Sequence, residues 1–255
     1  MFCQREPSNL EIENETLAEL LKEIFLEHKG RYGARRIKFV LQKEYQLTIS
    51  RRRITRLLHA QGLYTRDVRR KYRRQKTGCC SVQKNLVNHN FSVKSPHTIR
   101  FGDITYIPTV EGTLYFSTYI DAYSRRVGSY RIDNHMRDEL VVESLETALF
   151  KEKPKAGLII HVDQGSQYTS HCFFEIIQAN KLLLSHSSKG TTYDNAVMES
   201  FYKSLKREVL NKHGFKSKTE AVLQLVDYLE NYYNVKRIHS SLGYKTPDEF
   251  LLSQN

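Results

Sequence analysis

Near residue 99 the apolar pattern of this chain changes period, so one part has to be helical and the other has to contain a sheet. Up to residue 60, apolar side chains recur every three or four positions. Leu17, Leu20, Leu21, Ile24 and Phe25 mark a helix over 10–28, and Ile37, Val40 and Leu41 a second over 34–45. Ile54, Leu57 and Leu58 mark a third helix, which Thr48 or Ser50 can cap and which runs to about Ala60; Gly62 stands where a left-handed helix end belongs. From Ile99 the texture becomes β-branched and aromatic. Residues 101–108 and 114–122 read as a hairpin across a short connection, with 127–132 as a third strand. Helices over 137–150 and 170–179 then alternate with strands over 158–162 and 182–185. A long helix runs from Asp194, its expected cap, to about Leu210, and a last helix covers 219–233. Three meandering strands followed by alternating helices and strands predict an α/β fold, a mixed sheet flanked by helices, behind a small all-α region.

Charge divides the chain at the same place. The whole sequence has 40 basic and 28 acidic side chains, net +12; residues 1–95 hold 21 and 9 of them, and the remainder 19 of each. The entire excess sits in the front third, which reads as a polyanion-binding arm on a neutral body. Nucleic acid is the polyanion this pattern favours, because no apolar-faced terminal helix or lipid anchor accompanies it. The second and third helices, joined by about four residues, suggest a helix-turn-helix with Arg51, Arg52, Arg53 and Arg56 exposed on its second helix, although a plain three-helix bundle with a basic face explains the pattern nearly as well. Residues 66–76 (RDVRRKYRRQK) follow, with seven basic residues in eleven; Arg69, Arg70, Lys71, Arg73 and Arg74 are candidates to track phosphates. The expected divisions are a basic helical region at 1–76, a linker at 77–98, a core at 99–212 and a helical extension at 213–255. No run approaches the ~18 apolar residues of a membrane helix, and residues 1–10 lack the apolar segment of a signal peptide. Cys3, Cys79, Cys80 and Cys172 form no zinc-type pairing and read as reduced thiols, so a cytoplasmic setting is expected.

Three acids carry the chemistry. Asp103 lies mid-strand between apolar neighbours, where a carboxylate is costly unless a cation or donor satisfies it. Asp163, in His-Val-Asp-Gln-Gly-Ser, falls where the chain leaves a strand, the usual place for ligand sites in α/β sheets. Glu199 sits on the long helix and shares a face with Asn195 and Lys206. In-line cleavage of a phosphodiester needs an activated oxygen nucleophile and a stabilised leaving oxygen, and two hard cations held by such carboxylates can supply both. Taken singly, each acid could equally be a helix cap, a salt-bridge partner or a surface group.

Their spacing within longer motifs is more specific. Residues 101–206 resemble the catalytic core of DDE-superfamily transposases and retroviral integrases, in particular the bacterial insertion-sequence transposases whose second reading frame encodes an integrase-like protein. The matching stretches are DITYI at 103–107, YIDAYSRRVG at 119–128, HVDQGSQYTS at 161–170 and YDNAVMESFYKSLKRE at 193–208. Thirty-five residues separate Asp163 from Glu199, and Lys206 is the basic residue seven positions on. RYGARRI at 31–37 and YYNVKRIHSSLGYKTPDEF at 232–250 are similar to the family's front and tail signatures. Phe101 stands near the place where the family often has Trp, and the zinc module of the retroviral proteins is absent.

The resemblance implies a ribonuclease-H-like fold and DNA cleavage at the element's ends followed by strand transfer. It assigns Asp103, Asp163 and Glu199 as catalytic ligands of two Mg²⁺ (or Mn²⁺) ions. The implied partners are the element's terminal repeats, the target DNA, further copies of the chain on DNA and a companion protein from an upstream frame; the implied location is the bacterial cytoplasm, at the nucleoid. Lys206, and Lys189 in the loop before the long helix, would meet DNA; Asn195, His161 and Asp121 are expected to support the site, His161 being equally readable as a core histidine and Asp121 as a structural acid. Arg237, His239 and Ser240 could contact DNA or seal the core. Two rivals remain open: a non-catalytic helix-turn-helix binder needing no metal, and a recombinase using one of the 16 tyrosines as nucleophile.

Overall fold

The computed structural model describes residues 8–65, 85–87, 93–187, 195–210 and 214–253, and divides into two compact units, 1–67 and 68–255. The first is three helices: α1 (Asn9–Glu27), α2 (Ala34–Glu44) and α3 (Arg51–Ala60). Ser8 and Glu11 form a reciprocal capping box on α1, and of the two candidate caps for α3 it is Ser50 whose hydroxyl accepts from the Arg53 backbone N–H at 3.2 Å. Leu21, Ile37, Leu41 and Ile54 are fully buried, so each helix gives its apolar stripe to one small core.

The second unit is built on a five-stranded sheet in the order β3-β2-β1-β4-β5. β1 (Ile99–Thr109), β2 (Gly112–Asp121) and β3 (Val127–Asp133) form the antiparallel meander; β4 (Ile159–Val162) and β5 (Leu183–His186) add in parallel beyond β1. The parallel strands are short and arrive after α4 (Asp138–Glu152) and α5 (His171–Ala179), since parallel pairing requires a crossover. Alternation along β2 sends Tyr119 to one face, where it joins Val141, Leu145, Ile160 and Phe173 in the core under α4 and α5. Phe116 faces the other way and meets Tyr202 of α6 (Ala196–Val209) edge-on, with ring centroids 6.2 Å apart. Helices thus cover both faces of a mixed sheet, the ribonuclease-H-like arrangement, in the unit that follows the three helices along the chain.

The tail packs on this unit. α7 (Lys218–Tyr228) runs into a π turn (Leu229–Tyr233), so the helix expected over 219–233 is regular only in its first part. Tyr228, Leu229, Tyr232 and Tyr233 are all buried there, and the wider turn marks where the regular α-helix ends. The Asn234 carboxamide then brackets Val127 on the outer edge of β3, accepting from its N–H at 3.0 Å and donating to its carbonyl at 3.1 Å. α8 (Pro247–Leu252), with a capping box from Thr246, ends the described chain. Among the described residues no helix is long and apolar enough to cross a membrane, and Cys172 is a free, exposed thiol. The expected caps and basic residues at Asp194, Lys189, Arg69, Arg70, Lys71, Arg73 and Arg74 lie outside the described residues.

Candidate active site

The parallel register of β1 and β4 pairs Phe101 with His161. Two residues further on, past the last paired residues, stand Asp103 and Asp163, near enough for their carboxylates to repel. Each carboxylate is fixed through one oxygen by the backbone just after it: the Ile104 N–H donates to Asp103 Oδ1 at 2.8 Å, and the Gly165 N–H to Asp163 Oδ1 at 2.9 Å. Gly165 allows that approach, because a Cβ there would stand 2.9 Å from the same oxygen. Among the described residues the second oxygen of each aspartate accepts no hydrogen bond. Burial pushes Asp103 well above the ordinary carboxylate range; the neighbouring Asp163 pushes it further and Glu199 adds slightly, while the Ile104 N–H and the Lys206 charge work in the opposite direction. Burial also raises Asp163, against the Gly165 hydrogen bond and the attraction of His186. Two desolvated carboxylates side by side are an arrangement that a divalent cation would relieve.

Helix α6 crosses β1 at this point. The Tyr202 hydroxyl donates to the Asp103 carbonyl at 2.5 Å. Glu199, Tyr202 and Lys206 follow at i, i+3 and i+7, so the face that touches β1 is the one carrying Glu199 and Lys206. Tyr202 was not singled out by sequence; its position one turn past Glu199 was the available signal. Glu199 itself is 43% exposed and lies 3.4 Å from Lys203 Nζ, one turn on. Among the described residues no group of three or more His, Cys, Asp or Glu is close enough to hold one ion. The fold therefore brings the two aspartates together and leaves the glutamate on its own helix surface. An exposed i,i+4 pair is worth only about 0.3–0.5 kcal/mol, so turning Glu199 from Lys203 toward the aspartates is a small cost.

The supporting residues divide. Asn195 is the N-cap of α6 but caps through no side-chain bond; its carbonyl accepts from the Glu199 N–H at 3.0 Å. His161 is fully buried, with Nδ1 2.9 Å from the Ser185 hydroxyl and its ring against Phe101, which is a core histidine. Asp121 is buried at the end of β2 and accepts from the His97 N–H, the Ser124 N–H and the Ser124 hydroxyl at 2.9, 2.8 and 2.7 Å. It shapes the β2–β3 turn opposite Arg100, on the other face of the sheet from Asp103. In the helical unit Arg51, Arg52 and Arg56 are exposed, whereas Arg53 binds Glu13 at 3.0 Å and Asn14 at 2.9 Å, and so ties α3 to α1. Arg237 is buried in an ion pair with Glu208, so the tail seals the core at that position.

Comparison with known proteins agrees with this fold. An HTH-like domain model matches residues 11–72, and two models described as integrase core domain match 93–192 and 180–247. The chain is 44% identical over 247 residues to the transposase for insertion sequence element IS904 of Lactococcus lactis subsp. lactis (strain IL1403), covering 96% of this chain and 97% of that protein. It is 33% identical over 231 residues to transposase InsF for insertion sequence IS3A of Escherichia coli (strain K12), covering 89% and 78%. A chain of a simian T-cell lymphotropic virus intasome superposes with a TM-score of 0.51 at 16% identity, covering 80% of this chain and 67% of that one, and bears on the fold alone. An integrase core, an HTH-like front end and kinship to insertion-element transposases along almost the whole length agree: the chain belongs to the insertion-sequence transposases of the DDE integrase-core type.

Proposed function

We propose that this transposase cuts DNA at the ends of its insertion element and joins the freed ends to target DNA, with Asp103, Asp163 and Glu199 as the ligands of the divalent metal this requires. The observation that carries the reading is the pair of half-buried aspartates on β1 and just past β4, where Asp163 repels Asp103 and each is pinned through one oxygen by a backbone N–H. The donor set fits the requirement: hard carboxylate oxygens from two strands and a helix suit Mg²⁺ or Mn²⁺. Two such ions per active site would supply Lewis acidity, both for activating the attacking oxygen and for stabilising the leaving one. The chain's own groups do the rest. The Ile104 and Gly165 N–H groups aim the aspartates, Tyr202 fixes α6 over Asp103, and Lys206 on the same face holds a DNA phosphate.

In this reading residues 1–76 bind DNA, 77–98 link, 99–212 form the catalytic core and 213–255 brace it. Arg51, Arg52 and Arg56 on α3, with the basic run Arg69, Arg70, Lys71, Arg73 and Arg74 and with Lys189, contact terminal repeats and target. The chain works as a homo-oligomer on DNA, at the nucleoid of the bacterial cytoplasm, with a companion protein from an upstream frame aiding end recognition. The test is a strand-transfer assay on DNA carrying the element's inverted repeats. Joined product is expected with Mg²⁺ or Mn²⁺ and none with chelator; end binding without joining under every metal condition would favour the non-catalytic binder, and a covalent protein–DNA adduct would favour a tyrosine nucleophile.

A further inference from the structure

Glu208 stands nine residues past Glu199 on α6, on the opposite side of the helix. It is 1% exposed, and Arg237, which grips it, is 3% exposed. Arg237 Nε donates to Glu208 Oε2 and Nη2 to Oε1, both at 2.9 Å, and the Tyr228 hydroxyl donates to Oε2 at 2.9 Å. The guanidinium lies 5.6 Å from the centre of the Tyr233 ring, and a His239 ring nitrogen lies 3.0 Å from Nη1. Tyr233 meets Phe201 of α6 edge-on at 5.1 Å. Three segments of the tail, at 228, 233 and 237–239, therefore converge on the back of the helix whose front faces Asp103.

A buried ion pair is a poor device for stability alone, since apolar side chains of similar volume usually do as well. What a forked, two-point contact supplies is direction. We propose that the Glu208–Arg237 pair is a positioning device that fixes the rotation of α6 about its axis, and so sets where Glu199 and Lys206 point. The inference rests on the role proposed above for Glu199. Side chains on a helix reach about 5–6 Å from its axis, so a rotation of about 10° carries a carboxylate about 1 Å. A misplacement of about 1 Å can cost on the order of a hundredfold in rate. Tyr202 holds the front of α6 at the Asp103 carbonyl, and the ion pair holds its back about one and two-thirds turns further on. Together they leave the helix no free rotation.

The test compares Glu208→Leu/Arg237→Met, which replaces the pair with apolar volume, and Arg237→Lys, which keeps the charge and loses the fork, with the wild-type chain. The double variant is expected to keep its melting temperature and its affinity for end DNA, yet to lose at least about tenfold in strand-transfer rate on pre-cleaved ends; Arg237→Lys should fall between. A merely structural pair would move the melting temperature and leave the rate per folded molecule intact, so a double variant at full rate overturns the proposal. If the double variant does not fold, a folded Arg237→Lys at full rate overturns it equally. Glu199→Gln, measured alongside, separates the two layers: a dead Glu199→Gln with a fully active double variant sinks the positioning role alone, whereas an active Glu199→Gln removes the catalytic reading on which it rests.

Discussion

Asp163→Asn should abolish strand transfer while leaving the binding of element ends intact. Losing one carboxylate ligand removes Lewis-acid stabilisation worth several kcal/mol, which at about 1.4 kcal/mol per factor of ten is on the order of a thousandfold or more in rate. DNA affinity should not fall, because the substitution deletes a negative charge beside phosphates. The same variant should be at least as heat-stable as the wild type in chelator. Asp163 and Asp103 repel across adjacent strands, and Asp103 is driven upward by burial and then by Asp163. Removing one of two half-buried like charges relieves that cost, whereas a carboxylate kept for structure would be missed. Adding Mg²⁺ should raise the melting temperature of the wild type more than that of the variant, since only the intact pair binds the ion in the folded state. A variant that joins DNA at the wild-type rate would remove Asp163 from the chemistry.

Gly102→Val should destabilise the catalytic unit and slow it in the same stroke. A Cβ at Gly102 would stand 2.4 and 2.8 Å from ring atoms of Tyr119, and 3.1 Å from Val162. Tyr119 cannot give way cheaply: it is fully buried, and its hydroxyl donates to the Val141 carbonyl at 3.2 Å. Forced overpacking of this kind costs about 1–3 kcal/mol, a melting shift of about 2–4 °C per kcal/mol in a unit of this size. Because Gly102 precedes Asp103 and Val162 precedes Asp163, the same strain pries apart the two strands that bear the aspartates. Thermal unfolding by circular dichroism, with strand transfer measured well below the transition, checks both parts; an unchanged melting temperature would mean that the strands separate without penalty.

What the sequence could tell followed from how local each signal was. The strands and most helices were legible because their cores are periodic, and Asp103, Asp163 and Glu199 stood out because fixed spacing and flanking residues placed them in a known pattern. Arg53 could not be told from Arg51, Arg52 and Arg56 by composition; only the fold reveals its partners, Glu13 and Asn14, about forty positions earlier. Arg237 was ambiguous for the same reason, since its carboxylate partner lies 29 positions earlier, on α6. Asp121 could be read as a support for the site or as a structural acid, and only the hydrogen bonds from His97 and Ser124 give it a turn to shape. The change from α-helix to π turn at Leu229 left no mark in the sequence, because the apolar positions 228, 229, 232 and 233 fit an ordinary helical face. Glu199 was legible as a ligand candidate, yet the Lys203 contact that holds its side chain outward depends on side-chain conformation, which no spacing rule encodes.

The central claim is that Asp103, Asp163 and Glu199 converge on shared divalent ions. Its most direct measurement is a Mn²⁺ titration, followed by electron paramagnetic resonance, of the protein assembled on pre-cleaved element ends. Two bound ions per active site are expected for the wild type, with fewer and weaker ions for Asp103→Asn, Asp163→Asn and Glu199→Gln. Undiminished Mn²⁺ stoichiometry and affinity in all three variants would contradict the account.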